Sequence, residues 1–192
     1  SPSERADFKM RIFNADGSEA KMCGNGIRCV GKYVFDKGYT DRTHLRIETL
    51  SGLRELDLQI AGGKVKSVIV GMGNPHAVIF ADDVEEIPLT VLGPQIEHHE
   101  NFPGGVNVEF VQVLSEKELR MRVWERGSGV TMACGTGACA SAAAAAARGY
   151  CEYDTPVSVH LDGGTLKIQI ARNGAVTMAG PAEIVYEGEI AI

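Results

Sequence analysis

The sequence predicts an α+β fold of two pseudo-symmetric lobes, each formed by a curved mixed or antiparallel sheet wrapped around a central helix. Three observations predict this class: an internal duplication, a strand–turn–helix–hairpin pattern in both copies, and a Gly-x-Gly turn before the helix of each copy. The length of 192 residues allows one or two domains and is sufficient for a large hydrophobic core.

The duplication consists of short segments that recur in the same order at a spacing of about 111 residues. The second copy can be followed upstream of its cysteine as far as Gly73, whereas only 22 residues precede the cysteine of the first copy. We therefore expect the first copy to be truncated or incomplete. The matched segments are residues 10–13 with 121–124, 23–26 with 134–137, 37–39 with 148–150, 45–47 with 157–159, and 63–65 with 174–176.

Each copy begins with a strand and ends with a hairpin. Alternating apolar residues predict strands over 8–13 and 119–124, and hairpins around 44–60 and 157–170. Gly62-Gly63 and Asn173-Gly174 supply the turns that follow the hairpins.

One helix per copy is predicted between the strand and the hairpin, over residues 27–37 and 138–148. Gly38 and Gly149 follow these helices at the position where a helix usually ends. The first helix is amphipathic, whereas the second is small or apolar on all sides, which is typical of a buried helix. The repeat predicts an N-terminal lobe over 1–71 plus about 181–192, and a C-terminal lobe over 72–180.

The charge balance excludes several classes of partner. Nineteen basic residues against 25 acidic ones give a net charge of −6, and no basic run is present, which argues against nucleic acid. No apolar run approaches the roughly 20 residues of a membrane span. We expect a small-molecule substrate, neither nucleic acid nor a membrane as a partner, and a cytoplasmic location; the choice between a monomer and a homodimer stays open.

The five cysteines indicate reduced thiols, because their number is odd and their spacings match neither a CxxC redox motif nor a zinc site. We predict no metal site. Cys29, Cys139 and Cys151 have no equivalents in the repeat and are interpreted as packing residues. The pair His98-His99, beside Glu97 and Glu100, is predicted to lie in an exposed loop.

Cys23 and Cys134 are the candidate catalytic residues, since both lie directly before Gly-x-Gly at a helix N-terminus. The free N–H groups and partial positive charge there can lower a thiol pKa and bind a carboxylate. A pseudo-two-fold axis would direct both helix ends at one cleft, with the thiols on opposite sides of a substrate. This arrangement suits inversion at a carbon next to a carboxylate, with one thiolate removing a proton and the other thiol donating one.

Other functions of the two cysteines are also open at this point. Either cysteine alone would more often be a small buried hydrophobic residue. The Gly-x-Gly turns could bind phosphate, but neither GxGxxG nor Gly-Lys-Ser/Thr is present. A thiol redox or binding protein, with a disulfide between Cys23 and Cys134, is an alternative of a different class.

Several segments together resemble the diaminopimelate epimerase family, over nearly the whole chain. Proline racemases share the Cys-Gly-x-Gly pattern but lack the Asn-Pro-His and Glu-Arg-Gly segments in this form, and another racemase of the same fold is the alternative within this class. The segments are Met22-Cys23-Gly24-Asn25-Gly26-Ile27-Arg28-Cys29, Gly73-Asn74-Pro75-His76-Ala77, Asn107-Val108-Glu109-Phe110, Trp124-Glu125-Arg126-Gly127 and Ala133-Cys134-Gly135-Thr136-Gly137-Ala138.

The resemblance implies interconversion of LL- and meso-diaminopimelate without pyridoxal phosphate, metal or another cofactor, in the synthesis of lysine and peptidoglycan precursors. It also implies the diaminopimelate epimerase-like fold of two lobes around central helices. The roles that it implies are acid and base for Cys23 and Cys134, anion binding for Gly24, Asn25, Gly135 and Thr136, contact with the reacting amino group for Glu125 and His76, and binding of the distal end for Arg126, Asn14, Asn74 and Asn107.

The sequence departs from the family pattern in two places. The family opens with a strand that carries Gly-Asn-Asp-Phe, and this chain begins after it. The connection between the first hairpin and Gly73-Asn74-Pro75 is also shortened, near Val70-Gly71. True deletions would leave the first lobe without part of its sheet and would argue against activity, whereas segments that the protein does contain would leave the chemistry intact.

Overall fold

The computed structural model describes residues 1–13, 17, 19–61, 64–70, 74–185 and 187–188, which form thirteen strands and three helices. The helices are α1 (Gly24–Asp36), α2 (Leu89–Glu97) and α3 (Gly135–Ala147). The strands are β1 (Phe8–Lys9), β2 (Ile12–Phe13), β3 (Glu19–Ala20), β4 (His44–Thr49), β5 (Gly52–Ala61), β6 (Lys64–Val70), β7 (His76–Phe80), β8 (Asn107–Ser115), β9 (Glu118–Glu125), β10 (Gly129–Val130), β11 (Pro156–Leu161), β12 (Gly164–Ile170) and β13 (Val176–Pro181).

Most strands belong to one mixed sheet with the order β1-β4-β5-β6-β13-β12-β11-β9-β8-β7, and β10 pairs with β9 at its side. The pairs β1–β4, β11–β9 and β7–β8 are parallel. Helix α1 lies against β5 and β6, whereas α3 contacts β7, β8, β9 and β11 to β13. The α+β class with two central helices is therefore confirmed. The proposed boundaries of the two lobes stay a prediction.

Strands β6 and β13 occupy equivalent positions in the two copies, and they pair with each other in antiparallel orientation. In their register Val70 pairs with Thr177, and Lys66 pairs with Pro181. In the repeat, Val70 is equivalent to Pro181 and Lys66 is equivalent to Thr177, so the repeat converts each pair into the other. The register therefore has two-fold symmetry. The sheet thus continues from one copy into the other across this pseudo-two-fold contact.

Helices α1 and α3 contain 13 residues each, and they begin at equivalent positions of the repeat. Both begin three residues earlier than predicted, because the cysteine before each helix serves as its N-cap. Both end as predicted, since Gly38 and Gly149 have φ of 71° and 74°, which is the left-handed region that glycine favours.

Helix α3 is buried on nearly all sides, as its composition predicts. Ala138, Ala142 and Ala145 have exposures of 0–1% and pack in the main hydrophobic cluster with strands from both copies. Small side chains let the surrounding strands approach the helix closely. The first helix is amphipathic as predicted, with Ile27 and Val34 among its buried residues.

Several elements differ from the prediction. The strand expected over 8–13 is divided, and its second part pairs with β3 in a separate two-stranded sheet. Helix α2 was not predicted. The turn at Asn173-Gly174 is confirmed, with Gly174 at φ 86°, whereas Gly62-Gly63 lies outside the described residues. Among the described residues, no helix has the length and apolar character that a membrane span requires.

Replacement of Ala145 by leucine is expected to overpack the core and to destabilise the fold by about 1–3 kcal/mol. Ala145 has no exposed surface, and leucine has a helix propensity close to that of alanine. Urea unfolding measures the change, with Ala147→Leu at the exposed end of the same helix as the control. Equal stability of the two variants would contradict the packing described for α3.

Candidate active site

Cys23 and Cys134 are the N-cap residues of α1 and α3. Their backbones are alike, with φ −137° and ψ 115° at Cys23 and φ −123° and ψ 110° at Cys134. Each sulfur accepts a hydrogen bond of 3.3 Å from the backbone N–H of the third helical residue, Gly26 or Gly137. Each thiol is therefore bound to the positive end of its helix, in the same geometry in both copies.

Both cysteines line one cavity of about 410 Å³ between the two helix ends, a volume that suits a small molecule. His76 is absent from the lining, and Asn14 lies outside the described residues. The predicted site residues that line the cavity are Cys23, Gly24, Asn25, Asn74, Asn107, Glu125, Arg126, Cys134, Gly135 and Thr136.

Glycine at the first position of each helix lets the two helix ends meet. A Cβ atom on Gly24 would lie 2.8 Å from Met178 Cε and 3.5 Å from Gly135 Cα. A Cβ atom on Gly135 would lie 3.2 Å from Met178 Sδ and 3.3 Å from Asn25 Oδ1. A side chain at either position would press on Met178, so glycine at both positions lets Met178 pack closely against the two helix ends.

Polar side chains surround the cysteines, and one of them, Asn25, connects the two copies. The Asn74 amide donates a hydrogen bond of 3.3 Å to Thr136 Oγ1, which lies 3.5 Å from Cys134 Sγ. The Asn25 amide nitrogen donates to the carbonyl of Ala133 at 3.3 Å. Asn25 Oδ1 is buried and has no hydrogen-bond partner among the described residues, so this acceptor is free for a ligand.

His76 forms a buried pair with Glu109. Their Nδ1 and Oε1 atoms are 2.7 Å apart, and the side chains are 5% and 0% exposed. Burial raises the pKa of Glu109, and the hydrogen bond to His76 offsets part of the rise. A Cβ atom on Gly137 would lie 2.6 Å from Glu109 Oε1, so the pair lies directly against the first turn of α3.

Glu125 is the last residue of β9, and Arg126 is the first residue of the turn that follows. Glu125 Oε1 accepts a hydrogen bond of 2.5 Å from Thr131 Oγ1. The Asn107 side chain accepts from the Arg126 backbone N–H at 2.9 Å and donates to the Pro75 carbonyl at 3.4 Å. Asn107 therefore joins two segments of the cavity wall, and its contact with a substrate stays a prediction.

The environment of Cys134 opposes the lowered thiol pKa that the helix end alone predicts. Burial raises the pKa of Cys134 to about 12, and the charge of Glu125 adds to the rise. Hydrogen bonds from Thr136 and from the Gly137 N–H act in the opposite direction but are weaker than the burial effect. Cys134 is therefore a neutral thiol in the free protein, a form that can donate a proton.

Sequence reasoning missed Glu109 and Thr131. A signal for Glu109 is present, because strand alternation places it on the same face as Asn107, a predicted site residue.

The interpretation of Cys29 as a packing residue is wrong, since its side chain is exposed on the solvent face of α1. Cys139 and Cys151 are buried as expected, and His98-His99 is exposed as expected.

Alkylation is expected to distinguish Cys134 from the exposed Cys29. Iodoacetamide reacts with thiolates, so a thiol of pKa about 12 should react about a thousandfold more slowly at pH 8 than an accessible thiol of ordinary pKa. Glu125→Gln should accelerate the reaction of Cys134, because it removes a negative charge that raises the pKa. Site-resolved mass spectrometry measures both rates, and equal labelling of Cys29 and Cys134 would contradict this description.

Comparison with known proteins agrees with this geometry. The diaminopimelate epimerase family model matches residues 1–70 and again residues 68–185. The same model thus matches two successive segments, as expected for an internal duplication. The two matches overlap at residues 68–70, close to Val70-Gly71, where the sequence predicts a shortened connection.

Relatives with curated names cover almost the whole chain. The chain is 47% identical over 230 aligned positions to a diaminopimelate epimerase of Bacillus licheniformis, with 100% of this chain and 81% of the relative covered. It is 47% identical over 226 positions to one of Phocaeicola vulgatus, with 98% and 80% covered. Each alignment has more positions than this chain has residues, so these relatives contain internal residues that this chain lacks.

A solved structure shows the same fold at low sequence identity. It is a hydroxyproline epimerase from Agrobacterium vitis, with a TM-score of 0.72 and 18% identity, over 93% of this chain and 69% of that one. From the family model and the close relatives together, we conclude that the chain belongs to the diaminopimelate epimerase family.

Proposed function

We propose that this chain is a cofactor-independent epimerase that interconverts LL- and meso-diaminopimelate, in the synthesis of lysine and peptidoglycan precursors in the cytoplasm. One observation carries the proposal: two cysteines, each the N-cap of a central helix, line a single cavity. Membership of the family and the names of the close relatives support diaminopimelate as the substrate.

The reaction needs a base on one face of the α-carbon and an acid on the other. In one direction the Cys23 thiolate removes the α-proton, and the Cys134 thiol donates its proton to the opposite face. The substrate neither gains nor loses a proton overall, and the two cysteines exchange protonation states. The raised pKa of Cys134 supports its role as the donor in this direction, and the exchanged states serve the reverse reaction.

The carbanion between the two proton transfers requires stabilisation of negative charge on the α-carboxylate. Gly24, Asn25, Gly135 and Thr136 line the cavity at the N-termini of α1 and α3, where the first N–H groups of a helix are free to bind an anion. Two helix ends directed at one carboxylate stabilise the charge as it develops, without reorganisation of solvent.

Charged residues of the cavity suit the ends of a zwitterionic substrate. The planar guanidinium of Arg126 can bind a distal carboxylate through two parallel hydrogen bonds. Glu125 is a counter-ion for an ammonium group, and His76, held by Glu109, directly follows the cavity residue Pro75 in the chain. Asn74 and Asn107 add neutral donors and acceptors at the wall between these groups.

Replacement of Cys23 or of Cys134 by alanine is expected to reduce epimerisation by on the order of 10³-fold or more, since each removes one of two obligatory proton-transfer groups. Chiral chromatography of diaminopimelate after incubation with each variant measures the effect, and circular dichroism checks the fold. Cys29→Ala, at an exposed thiol, is the matched control and should retain full activity. Substantial epimerisation by either of the first two variants would exclude the two-base mechanism.

A further inference from the structure

Glu97 is a buried carboxylate at the end of α2 that lies outside the cavity. Its residue is 5% exposed, although it is next to the exposed pair His98-His99. Oε2 accepts a hydrogen bond of 2.6 Å from Trp124 Nε1, and Oε1 accepts one of 3.0 Å from the Gly127 N–H. The two donors flank Glu125 and Arg126 in the chain, so one carboxylate binds both sides of the turn.

Helix α2 also contacts this turn through Gly93, one helical turn before Glu97. A Cβ atom on Gly93 would lie 2.5 Å from two atoms of the Trp124 indole ring. Residues four apart lie on the same face of a helix, so Gly93 receives the ring while Glu97 binds its N–H group. The position of Trp124 relative to α2 is thus fixed by shape and by a hydrogen bond.

The segment after α2 holds the Arg126 side chain. Arg126 Nη1 donates a hydrogen bond of 2.8 Å to the Gly104 carbonyl. Gly105 has φ +70°, and a Cβ atom there would lie 2.8 Å from Arg126 Cδ. Helix α2 thus contacts the neighbours of Arg126, Trp124 and Gly127, and the residues that follow the helix contact the Arg126 side chain.

We infer that Glu97 is a positioning residue that fixes the positions of Glu125 and Arg126 at the active site through its hydrogen bonds with Trp124 and Gly127. The kinetic part of this inference rests on the proposed function. A carboxylate recognised through two parallel hydrogen bonds requires an exactly oriented guanidinium, and misplacement by about 1 Å can cost about a hundredfold in rate. Glutamine cannot replace Glu97, because its single acceptor oxygen leaves an NH2 group facing an N–H donor.

Glu97→Gln is expected to lower kcat/KM for diaminopimelate by about tenfold to a hundredfold, mainly through KM, because Arg126 loses its orientation. Glu100→Gln is the matched control, since Glu100 is exposed three residues further on. If Glu97 acts through Arg126, its substitution should change kcat/KM by less than about threefold in an Arg126→Gln background. If the losses in kcat/KM of the Glu97→Gln and Arg126→Gln variants multiply fully in the double variant, the inference is overturned. It is also overturned if Glu97→Gln is as active as Glu100→Gln.

Fluorescence provides a measurement that does not depend on activity, because Trp124 is the single tryptophan of the chain. Loss of the bond from Nε1 should shift its emission maximum in Glu97→Gln and leave it unchanged in Glu100→Gln. An unchanged spectrum in Glu97→Gln would overturn the contact. If the wild-type chain shows no epimerase activity, the proposed function fails while this spectral test still decides the contact.

Trp124→Phe is the second variant, in case Glu97→Gln does not fold. It removes one of the two donors to Glu97 and keeps an aromatic ring against Gly93. The inference predicts a rise in KM of about threefold to tenfold, smaller than that of Glu97→Gln, because the Gly127 bond persists. A wild-type KM in Trp124→Phe would contradict positioning through the indole.

Discussion

The antiparallel pairing of β6 with β13 determines where the two cysteines lie. The strands are equivalents in the duplicated sequence, and Val68 pairs with Ala179, its own counterpart in the repeat, at the centre of the ladder. Met178, the neighbour of Ala179, contacts the positions of Gly24 and Gly135 at the two helix ends. The pseudo-two-fold axis thus runs close to the point where the helices meet, and each N-cap thiol is carried to the same cavity.

The symmetry of the backbone is not matched by symmetry of the surroundings. Both sulfurs accept the same hydrogen bond from their helix, but Cys134 is buried and close to Glu125, whereas Cys23 is half-buried. Burial outweighs the helix end at Cys134 and keeps it protonated. The two-fold backbone brings two thiols to one cavity, and burial keeps one of them, Cys134, in the form that can donate a proton.

Much of the fold and of the candidate site could be predicted because the two copies of the repeat can be aligned with each other. A single Cys-Gly-x-Gly is ambiguous, but two at one spacing identified both thiols and placed each helix start within three residues of its position. Burial could not be predicted in the same way, so the raised pKa of Cys134 and the partner of His76 were missed. Helix α2 was also missed, since its apolar pattern is short and contains Pro94, and with it the buried position of Glu97.

Isotope incorporation tests most directly whether Cys23 and Cys134 act on opposite faces. In D2O, at a few per cent conversion of LL-diaminopimelate, NMR of the α-positions measures label in the product and in the recovered substrate. Two thiols on opposite faces predict deuterium in the epimerised product from the first turnover, and slower labelling of the substrate, because the abstracting thiol can return its own proton. Substantial transfer of protium from the substrate into the product would show one base serving both faces, and would contradict this account.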